Sequence, residues 1–245
     1  MKQIIPKDFT LPFVKKEQVA KDAFSFYYDR TKEAIDFLPG QYLRMFLDVQ
    51  QPDERGTHKM FSIASSPLEK DHVMITTRIL RSTFKKTLVE LTPGTPVRFF
   101  GPAGRFVLDE TDLSPRIFLA GGIGITPMHS MIMYAAEKKL SLPIWLFASF
   151  STREYLIYYD QLRKIGEENQ NIKIIYTLTQ AEGVGENWLG EKGRISPEML
   201  QKYSLPSDAL WYMAGPPAMV LAMKQMVAGM NIPIERIKAE QFTGY

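Results

Sequence analysis

Hydrophobic positions in the first 110 or so residues come in short runs rich in aromatic and β-branched side chains. Turn-type segments such as PGQ, QPDERGT, SPLEKD and TPGT separate these runs. Runs at this spacing predict five or six antiparallel strands that close into a small barrel. A short helix is expected around STFKKTLVEL, at residues 82–91. The predicted strands are AFSFYYDR (23–30), QYLRMFLDV (41–49), KMFSIASS (59–66), HVMITTRIL (72–80) and TPVRFFGPAG (95–104).

The pattern changes near residues 112–115. From there, continuous apolar runs, typical of strands buried on both faces, alternate with segments of helical periodicity. This alternation predicts a doubly wound parallel α/β domain, so we expect two domains, at 1–112 and 113–245. The predicted strands are RIFLAGG (116–122), PIWLFASF (143–150), IKIIYTLTQ (172–180) and ALWYMAGPP (209–217). Helices are predicted around 128–136, 158–169 and 218–230, and the methionines at 219, 223, 226 and 230 are expected in the core.

Composition and charge narrow the class of protein. The 245 residues are 45% hydrophobic and 23% charged, as in globular proteins with a substantial core. A formal charge of +3 gives no support for nucleic-acid binding but allows a local basic face for an acidic partner. The absence of cysteine excludes disulfides, thiolate metal sites and a cysteine-ligated iron–sulfur cluster in this chain. Without a signal peptide or a run of about 18 apolar residues, a cytoplasmic protein with no integral membrane segment is expected, and no metal site is predicted.

The segment AGGIGITPM, at residues 120–128, lies between a predicted strand and a predicted helix. Its glycines would let the backbone approach a ligand, and the helix N-terminus would favour an anion such as phosphate. The spacing is neither that of GxGxxG nor that of a Walker A loop. Taken alone, the segment leaves open whether it is a phosphate cradle or a tight turn that packs a helix on a sheet.

Three other segments have a similar ambiguity. KMFSIAS (59–65) offers a cation, an aromatic ring and hydroxyls, which suit a planar ligand with a phosphate tail or an ordinary barrel strand. MAGPPAMV (213–220) is a sharp turn at the expected carboxyl edge of the parallel sheet, where open α/β sheets bind ligands. TRILRSTFKKTL (77–88) is either a second anion site at a capped helix start or a solvated basic helix end. Its basic residues are Arg78, Arg81, Lys85 and Lys86.

These segments, in this order, resemble the motifs of the ferredoxin–NADP reductase superfamily of flavoenzymes. KMFSIAS is similar to its R-x-[YF]-S flavin motif, and AGGIGITPM to its G-G-x-G-[IT]-[TA]-P nicotinamide-nucleotide loop. RSTFKKTL with PGTPVRFFGPAGRF resembles its flavin-pyrophosphate helix and the following hairpin, AGPPAMV its [CA]-G-P-x-x-M turn, and AEQFTGY its C-terminal E-x-[FY] tail. The resemblance spans residues from about 20 to 245. It implies an N-terminal antiparallel Greek-key β-barrel that binds FAD, followed by a doubly wound parallel α/β domain that binds NAD(P)H.

The resemblance also implies roles for the matching residues on the FAD side. Lys59, in place of the usual arginine, would contact a flavin phosphate without the bidentate fork. Phe61 would lie against the isoalloxazine ring, and Ser82 and Thr83 would hold the pyrophosphate. The FAD-binding set is Lys59, Met60, Phe61, Ser62, Thr76, Arg78, Ser82, Thr83 and Phe84.

On the nicotinamide side, the glycine loop would cradle the NAD(P)H pyrophosphate and the AGPP turn would border the nicotinamide. Ala214 stands where many relatives carry cysteine. Ser151 and Arg153 could bind a 2′-phosphate, which favours NADPH over NADH, with Tyr158 or Tyr159 near the adenine. The implied set is Gly121, Gly122, Gly124, Ile125, Thr126, Pro127, Ser151, Arg153, Gly215, Pro216, Pro217 and Met219.

Three residues are implied to be catalytic. Ser62 would sit near flavin N5, and Glu240 would be its proton or hydrogen-bond partner. Phe242 would shield the flavin as a displaceable lid, and Tyr245 is the alternative residue for this cofactor contact.

The implied activity is hydride transfer from NAD(P)H to bound FAD, followed by electron transfer to a separate acceptor. That acceptor would be a ferredoxin, a flavodoxin or an oxygenase component, and an acidic carrier suits the mild positive charge. Two alternatives stay open. One is direct reduction of ferric chelates, quinones or free flavin, and the other is a non-catalytic flavin-binding subunit of a larger complex. The sequence does not indicate an oligomeric state.

Overall fold

The computed structural model describes residues 4–182, 184, 185 and 187–243, so Tyr245 lies outside the described residues. The N-terminal part forms an antiparallel sheet of six strands in the order β4-β3-β6-β1-β2-β5, and a helix, α1, lies between β5 and β6. The bounds are β1 Lys7–Ala20, β2 Ala23–Asp29, β3 Tyr42–Phe46, β4 His58–Ser62, β5 His72–Arg78, α1 Thr83–Glu90 and β6 Pro96–Ala103.

The two outer strands of this sheet approach each other and close it into a barrel. An antiparallel bridge joins Ile63 to Ile75, and the Ala64 amide donates to the Met74 carbonyl at 2.8 Å. The pairs β1–β2 and β3–β4 join strands that are neighbours in the chain, whereas β3–β6, β6–β1 and β2–β5 join strands that are distant in it, as in a Greek key. The predicted barrel and its short helix are confirmed, but the first strand was absent from the predicted set.

Alternation along the strands fills the barrel. In β1, Phe9, Leu11 and Phe13 point inward between exposed neighbours, and Leu43 and Met45 do the same from β3. Helix α1 closes one end of the barrel with Phe84 and Leu88, both fully buried. The side chains that alternate with Leu43 and Met45 in β3 therefore face outward, which exposes Arg44.

The C-terminal part is a parallel sheet in the order β10-β9-β8-β7-β11-β12. Its predicted doubly wound architecture is confirmed. Strands β10 and β12 and helix α4 are additions to the predicted set. The bounds are β7 Arg116–Gly121, α2 Ile125–Glu137, β8 Ile144–Phe150, α3 Tyr159–Glu168, β9 Ile172–Leu178, β10 Glu191–Lys192, α4 Pro197–Gln201, β11 Leu210–Gly215, α5 Pro217–Gly229 and β12 Ile237–Gln241.

The strand order of this sheet reverses direction at β7. The chain proceeds outward from β7 to β8 and β9, then returns to place β11 on the other side of β7. Ligands of open α/β sheets bind at such a switch point, beyond the carboxyl ends of the strands. Gly121 and Gly215, the last residues of β7 and β11, stand at that point.

Each face of the parallel sheet is covered by helices. Helices α2 and α3 pack on one face, against residues such as Phe118 and Leu146, and α4 and α5 pack on the other, against Leu119 and Phe147. The α5 methionines are confirmed as core residues. They lie in or against the hydrophobic cluster that α4 and α5 form with the sheet: Met219, Met223, Met226 and Met230. Within the described ranges, no helix is both long and apolar enough to span a membrane.

The barrel and the parallel sheet share a packed interface. The Tyr212 hydroxyl donates to the Val107 carbonyl at 2.9 Å, and the Ser130 hydroxyl donates to the Ser65 carbonyl at 2.6 Å. Arg116, fully buried at the start of β7, donates to the carbonyls of the connecting segment at 109–114. The two sheets are thus held in a fixed relation, although the domain boundary near Asp112 stays a prediction.

Candidate functional site

Two glycine turns meet at the switch point. A Cβ added to Gly124 would lie 2.2 Å from the Ala214 carbonyl oxygen, and one added to Gly215 would lie 3.0 Å from the Gly121 oxygen. A Cβ on Gly121 would lie 2.1 Å from the Met219 sulfur. Gly121, Gly124 and Gly215 are therefore required for the close packing of the β7 turn on the β11 turn. For these three positions, the geometry supports a tight packing turn rather than a phosphate cradle.

Gly122 differs from its neighbours. Its φ of +52° favours glycine, and an added Cβ would meet nothing within 4 Å. The side chains of Ile125, Thr126 and Pro127 are buried in the first turn of α2, and the Thr126 hydroxyl donates to the Ile123 carbonyl at 3.0 Å. The motif predicts that all of these residues contact the nucleotide. The side chains of Ile125, Thr126 and Pro127 are too buried to reach a nucleotide, so contact at this turn would come from backbone amides and from the open side of Gly122.

A group of cations surrounds the N-terminus of α1. Lys85 is only 7% exposed, and burial lowers the pKa of its ammonium group to about 8. The neighbouring charges of Lys59, Arg78 and Arg55 contribute to this lowering of the pKa. Like charges gathered in a desolvated place are unfavourable unless an anion offsets them. We call these four residues the cation cluster.

Two polar atoms beside the cation cluster are buried and have no hydrogen-bond partner among the described residues. They are the Ser82 hydroxyl oxygen and Arg78 Nε. Buried donors are nearly always paired, so each of these atoms indicates a missing partner. A phosphate group, which accepts hydrogen bonds and carries negative charge, fits both the orphaned donors and the cations. The residues present therefore fit the phosphates of FAD.

Ser82 stands at the N-cap position of α1, but its hydroxyl makes no cap hydrogen bond. Asp53, from the β3–β4 loop, takes this place: its carboxylate accepts from the Thr83 amide at 3.1 Å, and its own amide donates to the Thr83 hydroxyl at 3.0 Å. The hydrogen bond from the Thr83 amide is the main reason that the pKa of Asp53 is lowered. The sequence could not indicate that Thr83 is already engaged by a carboxylate.

Strand β4 divides its side chains between two faces. Lys59 pairs across the ladder with the buried Met45, and its ammonium group donates to the Arg55 carbonyl at 2.7 Å. Met60 points to the opposite face and is 61% exposed. Its side chain therefore points away from the cation cluster, and the contact of Met60 with FAD stays a prediction.

Two predicted FAD-binding aromatic residues lie in the barrel core. Phe84 is fully buried, so its side chain points into the barrel, and its contact with FAD stays a prediction. Phe61 packs on Phe84 with ring centroids 6.1 Å apart and is 9% exposed. A flavin could meet only that exposed part of Phe61, and its stacking role stays a prediction.

Thr76 and Tyr158 form a polar contact between the two sheets. The Tyr158 hydroxyl donates to Thr76 Oγ1 at 2.5 Å, and that oxygen lies 2.7 Å from Ser25 Oγ. Both residues are buried. Their hydroxyl groups join the barrel to the parallel-sheet domain, and the cofactor contacts of Thr76 and Tyr158 stay predictions.

The C-terminal strand brings an acidic group to the switch point. Glu240 lies beside Ala214 in the β11–β12 ladder, burial raises the pKa of its carboxyl group to about 7, and its Oε2 has no partner among the described residues. The Phe242 amide donates to the Gly215 carbonyl at 2.9 Å, and its ring packs against the hydrophobic cluster that contains Phe118 and Leu146. Ser62 ends β4 and is buried, and within the described part of the chain no hydrogen bond joins it to Glu240.

Arg153 and Tyr159, which follow β8, form a cluster with Trp188, a residue that the sequence motifs did not indicate. The Arg153 guanidinium lies 5.4 Å from the Trp188 ring centroid, and Trp188 stacks on Tyr159 at 5.8 Å. Arg153 is exposed and, among the described residues, forms no ion pair. Ser151 is half-buried nearby. Trp188 is distant in sequence and lies in an irregular segment, so no motif pointed to it.

Pro216, Pro217 and Met219 begin α5 beside the two glycine turns, as the AGPP motif predicts for a turn, and the two prolines are half-buried. Their contact with nicotinamide stays a prediction. In the described ranges, no group of three or more His, Cys, Asp or Glu side chains is arranged to hold a metal ion.

Comparisons with known proteins agree with this arrangement. Residues 10–108 match the family model of the oxidoreductase FAD-binding domain, and residues 118–225 match that of the oxidoreductase NAD-binding domain. The chain is 28% identical over 242 residues to the flavohemoprotein of Bacillus subtilis (94% of this chain, 59% of that protein). It is 25% identical over 214 residues to one component of the Na(+)-translocating NADH-quinone reductase of Idiomarina loihiensis (81% of this chain, 52% of that protein).

The chain thus spans little more than half the length of these relatives. Among solved structures, it is similar to a ferredoxin NADP+ reductase from Neisseria gonorrhoeae with bound FAD and NADP. The TM-score is 0.80 at 18% identity, over 96% of this chain and 98% of that one. With both domain families matched in the order barrel then parallel sheet, this chain belongs to the oxidoreductases built from an FAD-binding and an NAD-binding domain, and its fold is that of the ferredoxin NADP+ reductase.

Proposed function

We propose that this chain oxidises NADPH through bound FAD and passes the electrons to a separate, acidic one-electron carrier protein. The observation that supports this most is the cation cluster, with the orphaned Ser82 hydroxyl and Arg78 Nε beside it. When bound, FAD accepts a hydride from the nicotinamide and can release the electrons one at a time.

Within this proposal, the cation cluster neutralises the phosphates of FAD. Lys59 and Arg78 approach from β4 and β5, and Lys85 approaches from the first turn of α1. The Ser82 hydroxyl supplies an additional donor. The open side of Gly122 and the N-terminus of α2 receive the pyrophosphate of the dinucleotide, because free amides and the helix dipole favour an anion there.

Glu240 is proposed to hold the proton at the reactive end of the site. With a pKa of about 7, its carboxyl group is partly protonated at neutral pH and can donate or accept. Ser62, buried at the end of β4, is its proposed partner, which requires the Glu240 carboxyl group to turn toward it on cofactor binding. Phe242 is held by the hydrogen bond of its backbone amide, which suits a ring that moves aside for the nicotinamide.

The preference for NADPH rests on Arg153. Among the described residues its exposed guanidinium has no carboxylate partner, and its position over the Trp188 ring suits a 2′-phosphate. The check is anaerobic titration of the FAD-loaded protein with NADPH and with NADH, for wild type and Arg153→Gln. Equal reduction by the two nucleotides in both proteins would overturn the preference.

The function itself is tested with a small acceptor. Purified protein loaded with FAD should be yellow, should bleach when NADPH is added anaerobically, and should reduce ferricyanide with NADPH. Protein that binds FAD and is not bleached by either nucleotide would instead be a non-catalytic flavin-binding subunit. Full activity toward quinones or ferric chelates with none toward protein carriers would favour the direct reductase.

Gly122 provides a prediction about the nucleotide site. Gly122→Leu is expected to weaken NADPH binding about tenfold, because the side chain fills the open space that the dinucleotide would occupy. The FAD absorbance spectrum should not change. Gly94→Leu is the matched control, since Gly94 also has positive φ and open space at its Cβ. Loss of FAD from the Gly122 variant, or an equal effect of both variants, would contradict this placement.

Phe242 provides a prediction about the lid. A displaceable aromatic ring contributes about 0.5–1.5 kcal/mol to the closed state beyond its area burial. Phe242→Ala is therefore expected to bind NADPH about 2- to 10-fold more tightly and to change turnover, while FAD stays bound. Thr243→Ala, one residue further on, is the control. If steady-state kinetics do not change in Phe242→Ala, the lid role is lost.

A further inference from the structure

An unusual row of side chains crosses the outer face of the barrel. In the β4–β3 ladder Met60 pairs with Arg44, and in the β3–β6 ladder Arg44 pairs with Phe100. Met60 is 61% exposed and Phe100 is 37% exposed, and Arg44 is exposed between them. Two large apolar side chains thus flank one cation on a face that is open to solvent.

The next row of this face is ordered by stacking. The Arg98 guanidinium lies 3.6 Å from the Phe46 ring centroid, and Phe46 packs on His58 with centroids 5.6 Å apart. Phe46 pairs with His58 in one ladder and with Arg98 in the other. We call the two rows together the Met60 face, formed by Met60, Arg44, Phe100, His58, Phe46 and Arg98.

The composition of the Met60 face is that of a protein–protein contact. Methionine, arginine and aromatic residues are enriched at interfaces, whereas the solvent face of an antiparallel sheet is normally polar. The stacking of Arg98 on Phe46 and of Phe46 on His58 orders the second row, which lowers the entropy lost on binding. Isolated exposed apolar residues are ordinary, but here two of them border the same cation.

The charge of this face favours an acidic partner. Asp8, a carboxylate at its edge, is already bound to Arg98 at 2.9 Å. In the described part of the chain, Arg44 has no ion pair or hydrogen bond, so its charge is available to a partner. Unpaired cations at the rim of an apolar contact mainly increase association rate and specificity for an acidic surface.

The Met60 face lies directly behind the cofactor site. Side chains alternate along β4, so Lys59 and Phe61 face the cation cluster and the barrel core while Met60, between them, faces outward. A partner bound here would be separated from the proposed FAD site by a single strand. That placement suits a protein that exchanges electrons with the flavin.

We propose that the Met60 face is the docking surface for the acidic one-electron carrier protein. This inference rests on the proposed function, since it names the surface that the carrier contacts. The binding energy comes from burial of Met60 and Phe100, and Arg44 selects for a carboxylate on the carrier.

The test uses FAD-loaded protein with two probes, a plant-type [2Fe–2S] ferredoxin and a flavodoxin. Binding is measured by calorimetry at low and high salt, and NADPH-dependent reduction of each carrier is measured in parallel. Arg44→Glu is expected to weaken binding of at least one carrier tenfold or more at low salt and to raise its KM to a similar extent. Phe100→Ala, which keeps the charge, should weaken binding about threefold or more at both salt concentrations.

Lys173→Glu is the control, because it makes the same charge change at an exposed position of β9 in the other sheet. NADPH–ferricyanide turnover should be equal in all four proteins. Wild-type protein that reduces ferricyanide but binds neither carrier, or an Arg44→Glu variant with unchanged binding, would overturn the docking surface alone. Loss of ferricyanide reduction in wild type would instead overturn the proposed function. If Arg44→Glu changes only the self-association seen by size-exclusion chromatography, the face joins copies of this chain and the proposal is wrong.

Discussion

Replacing Lys85 by methionine is expected to weaken FAD binding about 10- to 100-fold at pH 7. A hydrogen bond to a charged group contributes about 1.5–3 kcal/mol, and about 1.4 kcal/mol corresponds to a factor of ten in affinity. Lys85 is buried in the cation cluster, so its charge is poorly screened by water. The measurement is the dissociation constant of FAD, from flavin fluorescence. Lys86→Met is the matched control, because Lys86 is the next residue on α1 and is exposed.

The same substitution should stabilise the FAD-free protein. Burial and neighbouring cations depress the pKa of Lys85 from 10.5 to about 8, so at pH 7 the folded protein retains an unfavourable charge. At about 1.4 kcal/mol per pKa unit, the penalty is at most ~3.5 kcal/mol, present below pH 8 and relieved as the pH rises from 8 to 10.5. Urea unfolding at pH 7 should therefore show a more stable Lys85→Met variant.

These two effects separate a binding role from a structural one. If FAD phosphates are the missing partner of Lys85, wild-type affinity should fall as the pH rises above 8, and the variant should lack this dependence. A variant that loses stability and FAD together would mean that Lys85 only supports the helix. Equal FAD affinity in the Lys85 and Lys86 variants would place the phosphates elsewhere.

The fold was predictable from the sequence because most of its strands follow one of two simple patterns. In half-buried barrel strands, apolar and polar residues alternate. Strands β7, β8 and β11 are instead runs of mostly apolar residues. The first strand escaped this reasoning. Phe9, Leu11 and Phe13 alternate as expected, but Pro12 lies among them and charged residues fill the second half of β1. Its pairing with both β2 and β6, which stabilises it, is a long-range property.

The candidate site was predictable as motifs but not as contacts. The sequence places Lys85 beside Lys86 with equal basic character, and only the packing of α1 against the barrel makes one buried and the other exposed. Likewise, the four glycines of the two turns are alike in sequence. The structure distinguishes Gly122, which has open space, from Gly121, Gly124 and Gly215, which have none. Asp53 and Trp188 lie in loops whose positions no local pattern determines.

Glu240→Gln is expected to slow the bleaching of FAD-loaded protein by NADPH about tenfold or more, and to remove its pH dependence near pH 7. The carboxyl group has a pKa of about 7 because burial disfavours its charged form. A positioned acid or base typically contributes about 10²–10⁴-fold to a rate, and glutamine keeps the shape while losing the exchangeable proton. Stopped-flow bleaching rates across the neutral pH range provide the measurement, and Glu235→Gln, at an exposed carboxylate shortly before β12, provides the control.

Stability should change in the opposite direction to rate. The pKa of Glu240 is raised from 4.5 to about 7 on folding, so the folded protein binds the proton more tightly than the unfolded chain. The wild type therefore loses stability as the pH rises from 4.5 through 7, by at most ~3.5 kcal/mol at about 1.4 kcal/mol per pKa unit. Glu240→Gln avoids this loss and should be more stable at about pH 8, with little difference at about pH 5. Glu240 and Lys85 would then share one property: each weakens the empty protein because burial disfavours its charged form. A Glu240→Gln variant that is less stable above neutral pH and equally fast would show instead that the carboxyl group only fills space.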